Sequence, residues 1–311
     1  TSTLMVHPPG GMLLPLASMA WEPSIMSGVV HFLDPFQYRS TFHRHNPNIS
    51  EEEFAQDYLN HLEEIIQYEG PHSIAGILME TVTGTNGIII PPKGYLQGVR
   101  SLCDKYDIVM IVDEVMAGFG RTGEWFAVDH WGVTPDIMTM AKGLTSGYAP
   151  LGAVAMKPEI AAIFDERVFE GGLTYNGHPI SLAAAIAVIE VMQQDNLVAR
   201  ARKTGEYLKK VLNDLAAEHP SVGDVRSIGM FAAIELVKNR DTKEPMSPFG
   251  TTSKEMLEVR KYLLEHGVYA TIHWNVILII PPLIINENEL DEGFQVINQA
   301  LAITDKYTIK G

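Results

Sequence analysis

The sequence predicts an α/β fold: a mostly parallel central sheet with helices on both faces, followed by a smaller α+β domain. Three observations lead there. Short apolar runs at residues 74–80, 108–112 and 136–140 end at or beside polar residues, namely Glu80, Asp113 with Glu114, and Lys142. Continuous apolar runs of strand length are the pattern of strands buried on both faces, the usual setting of a parallel sheet. These runs alternate with helical segments, as βαβ units do. Beyond about residue 195 the alternation stops and short strands cluster together, which divides the chain into a large domain, 1–195, and a small C-terminal domain, 196–311.

Each element has its own signal. Residues 1–11 show no helical or alternating pattern, which suggests that the chain begins inside a domain and that an N-terminal portion precedes it. Ser50 followed by Glu51, Glu52 and Glu53 starts a helix, and Phe54, Tyr58, Leu59, Leu62, Ile65 and Ile66 recur at helical spacing. Residues 81–87 are rich in turn formers, and a helical stretch runs from Pro92 to Tyr106. Residues 151–156 complete the strand series. An alanine-rich helix spans 179–192 and a charged one 197–218. In the second domain, 225–227, 230–236, 269–272 and 276–280 read as strands, and 253–265 and 286–303 as helices. Residues 238–252, rich in charge, proline and glycine, read as a surface loop without chemistry.

Composition narrows the function classes. With 311 residues, 46% hydrophobic and 20% charged, the chain has ample material for a core. A net charge of −15 opposes docking onto nucleic acid or anionic membranes. The single cysteine, Cys103, excludes an internal disulfide and a thiolate cluster, and with no basic leader the expected location is cytoplasmic. No stretch approaches the roughly 20 apolar residues of a membrane helix. The histidines are scattered; only His43 and His45 lie close, as solvated loop neighbours, so no metal site is expected.

Asp113 and Lys142 are the pair of interest. A lysine that forms a Schiff base needs a site that destabilises its ammonium form. A pyridinium cofactor needs a carboxylate opposite its ring nitrogen. Two successive strand ends supply these two groups. Each alone also reads as an ordinary cap, ion-pair partner or solvated loop residue.

Several motifs then agree in order and spacing. Residues 112–123 read Val-Asp-Glu-Val-Met-Ala-Gly-Phe-Gly-Arg-Thr-Gly, 135–137 Pro-Asp-Ile, 141–143 Ala-Lys-Gly, 151–153 Leu-Gly-Ala and 172–179 Gly-Leu-Thr-Tyr-Asn-Gly-His-Pro, and Pro281-Pro282 precedes the last helix. Together they resemble the class III aminotransferases, the ω-transaminase branch of the fold type I pyridoxal-phosphate enzymes, from about Val29 to the end. The look is closest to taurine–pyruvate and β-alanine–pyruvate enzymes.

The resemblance implies a pyridoxal 5′-phosphate cofactor, a ping-pong transfer of an amino group from an ω-amino donor to a keto acid such as pyruvate, and a homodimer with shared active sites. It makes Lys142 the Schiff-base lysine and proton shuttle, and Asp113 the partner of the pyridinium nitrogen. Val115 then packs on a ring face, Glu80 lies near the cofactor's edge or caps its strand, and Thr174 donates to the phosphate of the neighbouring subunit's cofactor. The chain also departs from the family. Met116 stands where many members have a glutamine, and Glu80-Thr-Val-Thr-Gly84 replaces Glu-Pro-Val-Gln-Gly. Thr271 falls where some pyruvate-using members carry an arginine, which leaves His273, Trp274, Asn275 and, more remotely, Arg44 as substrate contacts. The family's phosphate-cradling glycine-serine loop is expected in the preceding portion. Two alternatives follow: another reaction on the same cofactor (aminomutase, racemase or decarboxylase), or a truncated module that folds and dimerises without binding cofactor.

Overall fold

The computed structural model describes residues 2–6 as backbone and residues 28–40, 42–43 and 48–309 in full. The chain forms two compact units, Thr1–Val82 with Pro91–Gly118 and Ala127–Val191, and Thr83–Ile90 with Phe119–Phe126 and Met192–Gly311. Two short loops from the first half of the sequence thus belong to the second unit, which a single linear boundary does not show.

The first unit is built on a six-stranded sheet in the order β2-β1-β3-β4-β5-β6, with β1 (Ser2–Val6), β2 (Val29–Phe32), β3 (Ile74–Glu80), β4 (Val109–Asp113), β5 (Ile137–Met140) and β6 (Ala153–Met156). Strands β3, β4 and β5 are parallel, and α2 (Tyr95–Tyr106) supplies the crossover between the first two. The flanking pairings, β1 with β2 and β3, and β5 with β6, are antiparallel. The sequence groups residues 151–156 with the parallel strands, but β6 turns back on β5. A parallel return is usually made through a helix, whereas residues 141–152, between the two strands, hold only a 3-10 turn, Lys142–Leu144. β1 is a second difference, for it forms where the sequence shows no pattern. Its backbone pairs with β2 and β3, and such distant partners leave no trace in local periodicity.

Helix α1 (Glu51–Glu69) begins as expected with a capping box: Glu53 N–H donates to Ser50 Oγ, and Ser50 N–H to Glu53 Oε2, both at 3.2 Å. It buries Phe54, Tyr58, Leu62 and Ile66. Two short helices, α3 (Pro158–Ala161) and α4 (Ile163–Glu166), follow β6, and then comes the apolar α5 (Pro179–Gln194).

Asp136 ties the amino ends of β4 and β5 to the carboxyl end of β6. It accepts from Arg100, Lys157 and the Met110 N–H, each at 2.7 Å. Burial opposes its charge, but the bonds from Lys157, Met110 and Arg100 outweigh this and hold its carboxyl below its ordinary value. A lowered folded value stabilises the fold above the unfolded carboxylate range and loses that contribution as pH falls through the folded value. Asp136→Asn is therefore expected to cost about 2–3 kcal/mol at neutral pH. Urea unfolding should show the gap to wild type closing as the pH falls below the unfolded carboxylate range and through the folded value; a gap independent of pH overturns the ionic account.

The second unit contains α6 (Leu197–Glu218), β7 (Val222–Ile228), β8 (Phe231–Asn239), β9 (Glu244–Pro245), α7 (Lys254–Glu265), β10 (Thr271–His273), β11 (Val276–Ile279) and α8 (Glu287–Asp305). Its sheet runs β10-β11-β8-β7, antiparallel throughout, and β9 pairs with β8 inside the stretch that reads as a loop. Residues Phe231 to Val237 of β8 are all buried, and Leu208, Leu212, Ile234, Ile277, Phe294 and Leu301 form the centre of this core. Among the described residues, no single helix is long and apolar enough to cross a membrane.

Candidate active site

The parallel register aligns the carboxyl ends of three strands. Glu80 of β3 lies opposite Asp113 of β4, and Asp113 opposite Thr139 of β5. Ligands of open α/β sheets bind beyond such strand ends. All three residues are half-buried. Asp113 Oδ1 accepts from the Val115 N–H at 2.8 Å, which turns the carboxylate into the bend after β4.

Lys142 follows β5 at the start of the 3-10 turn, exposed and at φ +40°. This left-handed conformation costs a side-chain-bearing residue roughly 1–2 kcal/mol, and it persists only where neighbours impose it. Here the neighbours are identifiable. Leu144 N–H donates to Ala141 O at 2.9 Å, Leu144 and Thr145 are buried, and Thr145 Oγ1 donates to Ala149 O at 2.6 Å. The turn is anchored by its far side, so the lysine is held out at the strand end.

Glu114 is a residue whose role sequence reasoning missed. It is 0% exposed, and its carboxylate accepts from Thr81 Oγ1 (2.7 Å), Ala127 N–H (2.9 Å) and Val128 N–H (2.9 Å). Burial pushes its carboxyl up, against the bonds from Ala127, Thr81 and Val128. The Asp-Glu pair was visible in the sequence, but not that the two side chains serve opposite purposes.

Val115 and Met116 are half-buried in the same bend. Thr174 is exposed, in a segment whose Leu173 and Tyr175 are each 77% exposed. The apolar exposure continues onto α5, where Ile180 is 72% and Ile186 59% exposed.

The second unit carries the remaining residues. His273 ends β10, and Trp274 occupies the tight turn to β11 at φ +51°, its ring 4.1 Å from that of Phe249 and 5.7 Å from that of His273. Burial, and then the Arg260 charge, lower the His273 pKa, so the imidazole is neutral at neutral pH. Asn275 is buried and donates to Leu236 O at 2.8 Å, which makes it a structural anchor of the hairpin. Arg44 and His45 lie outside the described residues. Arg121, from the glycine-rich motif, donates to Met230 O (3.1 Å) and Pro281 O (2.6 Å), and burial pushes its pKa down to about 10.

A carboxylate and a lysine at neighbouring parallel strand ends define the class of protein that also appears among solved structures. The taurine:2-oxoglutarate aminotransferase from Bifidobacterium kashiwanohense, in complex with PLP and glutamate, superposes with a TM-score of 0.86 at 40% identity over 90% of this chain and 62% of that one. An (S)-enantioselective omega-transaminase from Thermomicrobium roseum does so with 0.84 at 34% identity over 92% and 62%. The fold is thus fold type I, that of the pyridoxal-phosphate-dependent transaminases. The class-III aminotransferase profile matches residues 11–301, and the chain belongs to that family. Curated relatives include a putrescine–pyruvate aminotransferase of Pseudomonas aeruginosa, 36% identical over 267 residues, 85% of this chain and 56% of the relative. A taurine–pyruvate aminotransferase of Bilophila wadsworthia is 35% identical over 267 residues, 79% and 56%. The chain therefore spans a little over half the length of these relatives.

Proposed function

We propose that this chain carries the catalytic lysine and aspartate of a pyridoxal-phosphate-dependent aminotransferase, which moves an amino group from an ω-amino donor such as taurine, β-alanine or putrescine to pyruvate. The observation that carries the proposal is the lysine at φ +40° beyond β5, beside the strand-end row of Glu80, Asp113 and Thr139. The donor set suits the cofactor, offering an exposed amine for its carbonyl and a half-buried carboxylate for its ring nitrogen. When bound, pyridoxal phosphate supplies a carbonyl that condenses with amines and a ring that accepts an electron pair.

In this reading the residues divide the work. Lys142 Nζ would hold the cofactor through its carbonyl and, as a free amine, would serve as the group that takes up and returns the substrate's proton. Asp113 keeps a proton on the ring nitrogen, because a carboxylate beside a cation favours the charged form. Val115 would pack against the ring, and Glu80 would help orient it. The first compact unit would be the cofactor-binding domain and the second the smaller domain, with His273 and Trp274 its candidates for substrate contact. Thr174 donates to the phosphate held by a neighbouring subunit, and the exposed apolar side chains Leu173, Tyr175, Ile180 and Ile186 support a homodimer.

The test is to incubate the chain with pyridoxal phosphate, reduce with borohydride and map the labelled peptide by mass spectrometry, then screen amines against pyruvate. Label on Lys142 with alanine formed from pyruvate is the expected result. Scattered labelling of surface lysines overturns the assignment.

A further inference from the structure

We propose that Glu114 is a positioning residue, the buried carboxylate that sets the direction of Asp113. The proposal rests on the cofactor reading above and deepens it. Three donors converge on Glu114 from two directions, Thr81 Oγ1 and Val128 N–H on Oε1, and Ala127 N–H on Oε2. Its main chain is tied as well: its N–H donates to Thr139 O at 2.9 Å, and its carbonyl accepts from Gly118 N–H at 3.0 Å. One residue thereby joins the end of β3, the end of β5 and the 3-10 turn Ala127–Trp131. Asp113 immediately precedes it, and the Val115 N–H that holds Asp113 immediately follows it. The bend cannot rotate without breaking the Glu114 bonds, so the aim of Asp113 is set through its neighbour.

The chemistry requires a carboxylate. An ionised carboxylate only accepts, which matches three donors, whereas a glutamine amide at this place turns an NH₂ toward the Ala127 N–H. Burying such a group costs stability unless its bonds are complete. Asp136 already performs the purely structural task at the opposite ends of these strands.

The experiment compares the full wild-type chain with Glu114→Gln and Thr81→Val, titrated with pyridoxal phosphate and with its 1-deaza analogue, in which a CH replaces the ring nitrogen. If Glu114 acts through Asp113, Glu114→Gln weakens binding of pyridoxal phosphate about tenfold and that of the analogue less than about twofold. The ring nitrogen of the bound cofactor should also give up its proton at lower pH in the variant, read by nitrogen-15 NMR, since it loses its partner. Thr81→Val keeps the carboxylate and removes one of its donors, and is expected to show the same selectivity with a smaller loss; it carries the test if circular dichroism shows Glu114→Gln unfolded. Equal weakening toward both ligands overturns the positioning role and leaves the cofactor reading standing. A wild-type chain that binds neither ligand overturns both.

Discussion

Replacing Lys142 by alanine is expected to lower amino transfer to pyruvate by at least about a thousandfold, because general acid–base catalysis alone contributes roughly 10²–10⁴-fold and the covalent anchor is lost with it. The loss should appear in kcat, with the folded state untouched. Lys142 is exposed, and the turn is held by Leu144 and Thr145, not by the lysine side chain. Alanine meets about the same left-handed penalty at φ +40° as lysine does. Thermal unfolding should therefore stay within about 0.5 kcal/mol of wild type. The informative control is Lys142→Arg, which keeps a charge but cannot condense with a carbonyl or release a proton at neutral pH. Equal loss in both variants, with Tm unchanged, assigns the effect to amine chemistry. Turnover that survives in the alanine variant removes Lys142 from the mechanism.

Gly229→Ala is expected to be the most damaging conservative change in the second unit. Gly229 sits at φ +55°, and a Cβ built there would lie 2.2 Å from Thr122 C and 2.4 Å from Thr122 O, both backbone atoms. The other side is equally closed, since a Cβ on Gly205 would lie 2.5 Å from Gly229 Cα. Backbone cannot yield as a flexible side chain does, so overpacking adds to the conformational penalty for a total of about 3–5 kcal/mol. The melting temperature should fall by on the order of 10 °C. Gly267 provides the comparison: at φ +81° with nothing within 4 Å, its alanine variant meets only the conformational term, about 1–2 kcal/mol. Equal losses at the two positions contradict the packing argument. The contact also shows why residues 119–126 belong to the second unit: the approach of Thr122 to Gly229 and the donation of Arg121 to Met230 O and Pro281 O hold this loop there.

Local chemistry along the chain was enough to place most elements. The Ser50 and Glu53 capping box, the apolar runs of β3, β4 and β5, and the helix periodicities are signals confined to a few residues, because they arise from backbone hydrogen bonding and from which face is buried. Asp113 and Lys142 drew notice only as a pair at successive strand ends, since either alone reads as an ordinary cap or loop residue. The outcome differed where distant partners decide. β1 exists through pairing with strands far along the chain, β6 took its antiparallel direction from a connection without a helix, and Asn275 proved to be an anchor once Leu236 came beside it. The sequence singled out Asp113, and only the tertiary structure gave its neighbour Glu114 a place, fully buried and bonded on both oxygens. Burial, and the three donors converging on Glu114, depend on residues brought together from β3 and from beyond the glycine-rich loop, and no window of sequence contains them.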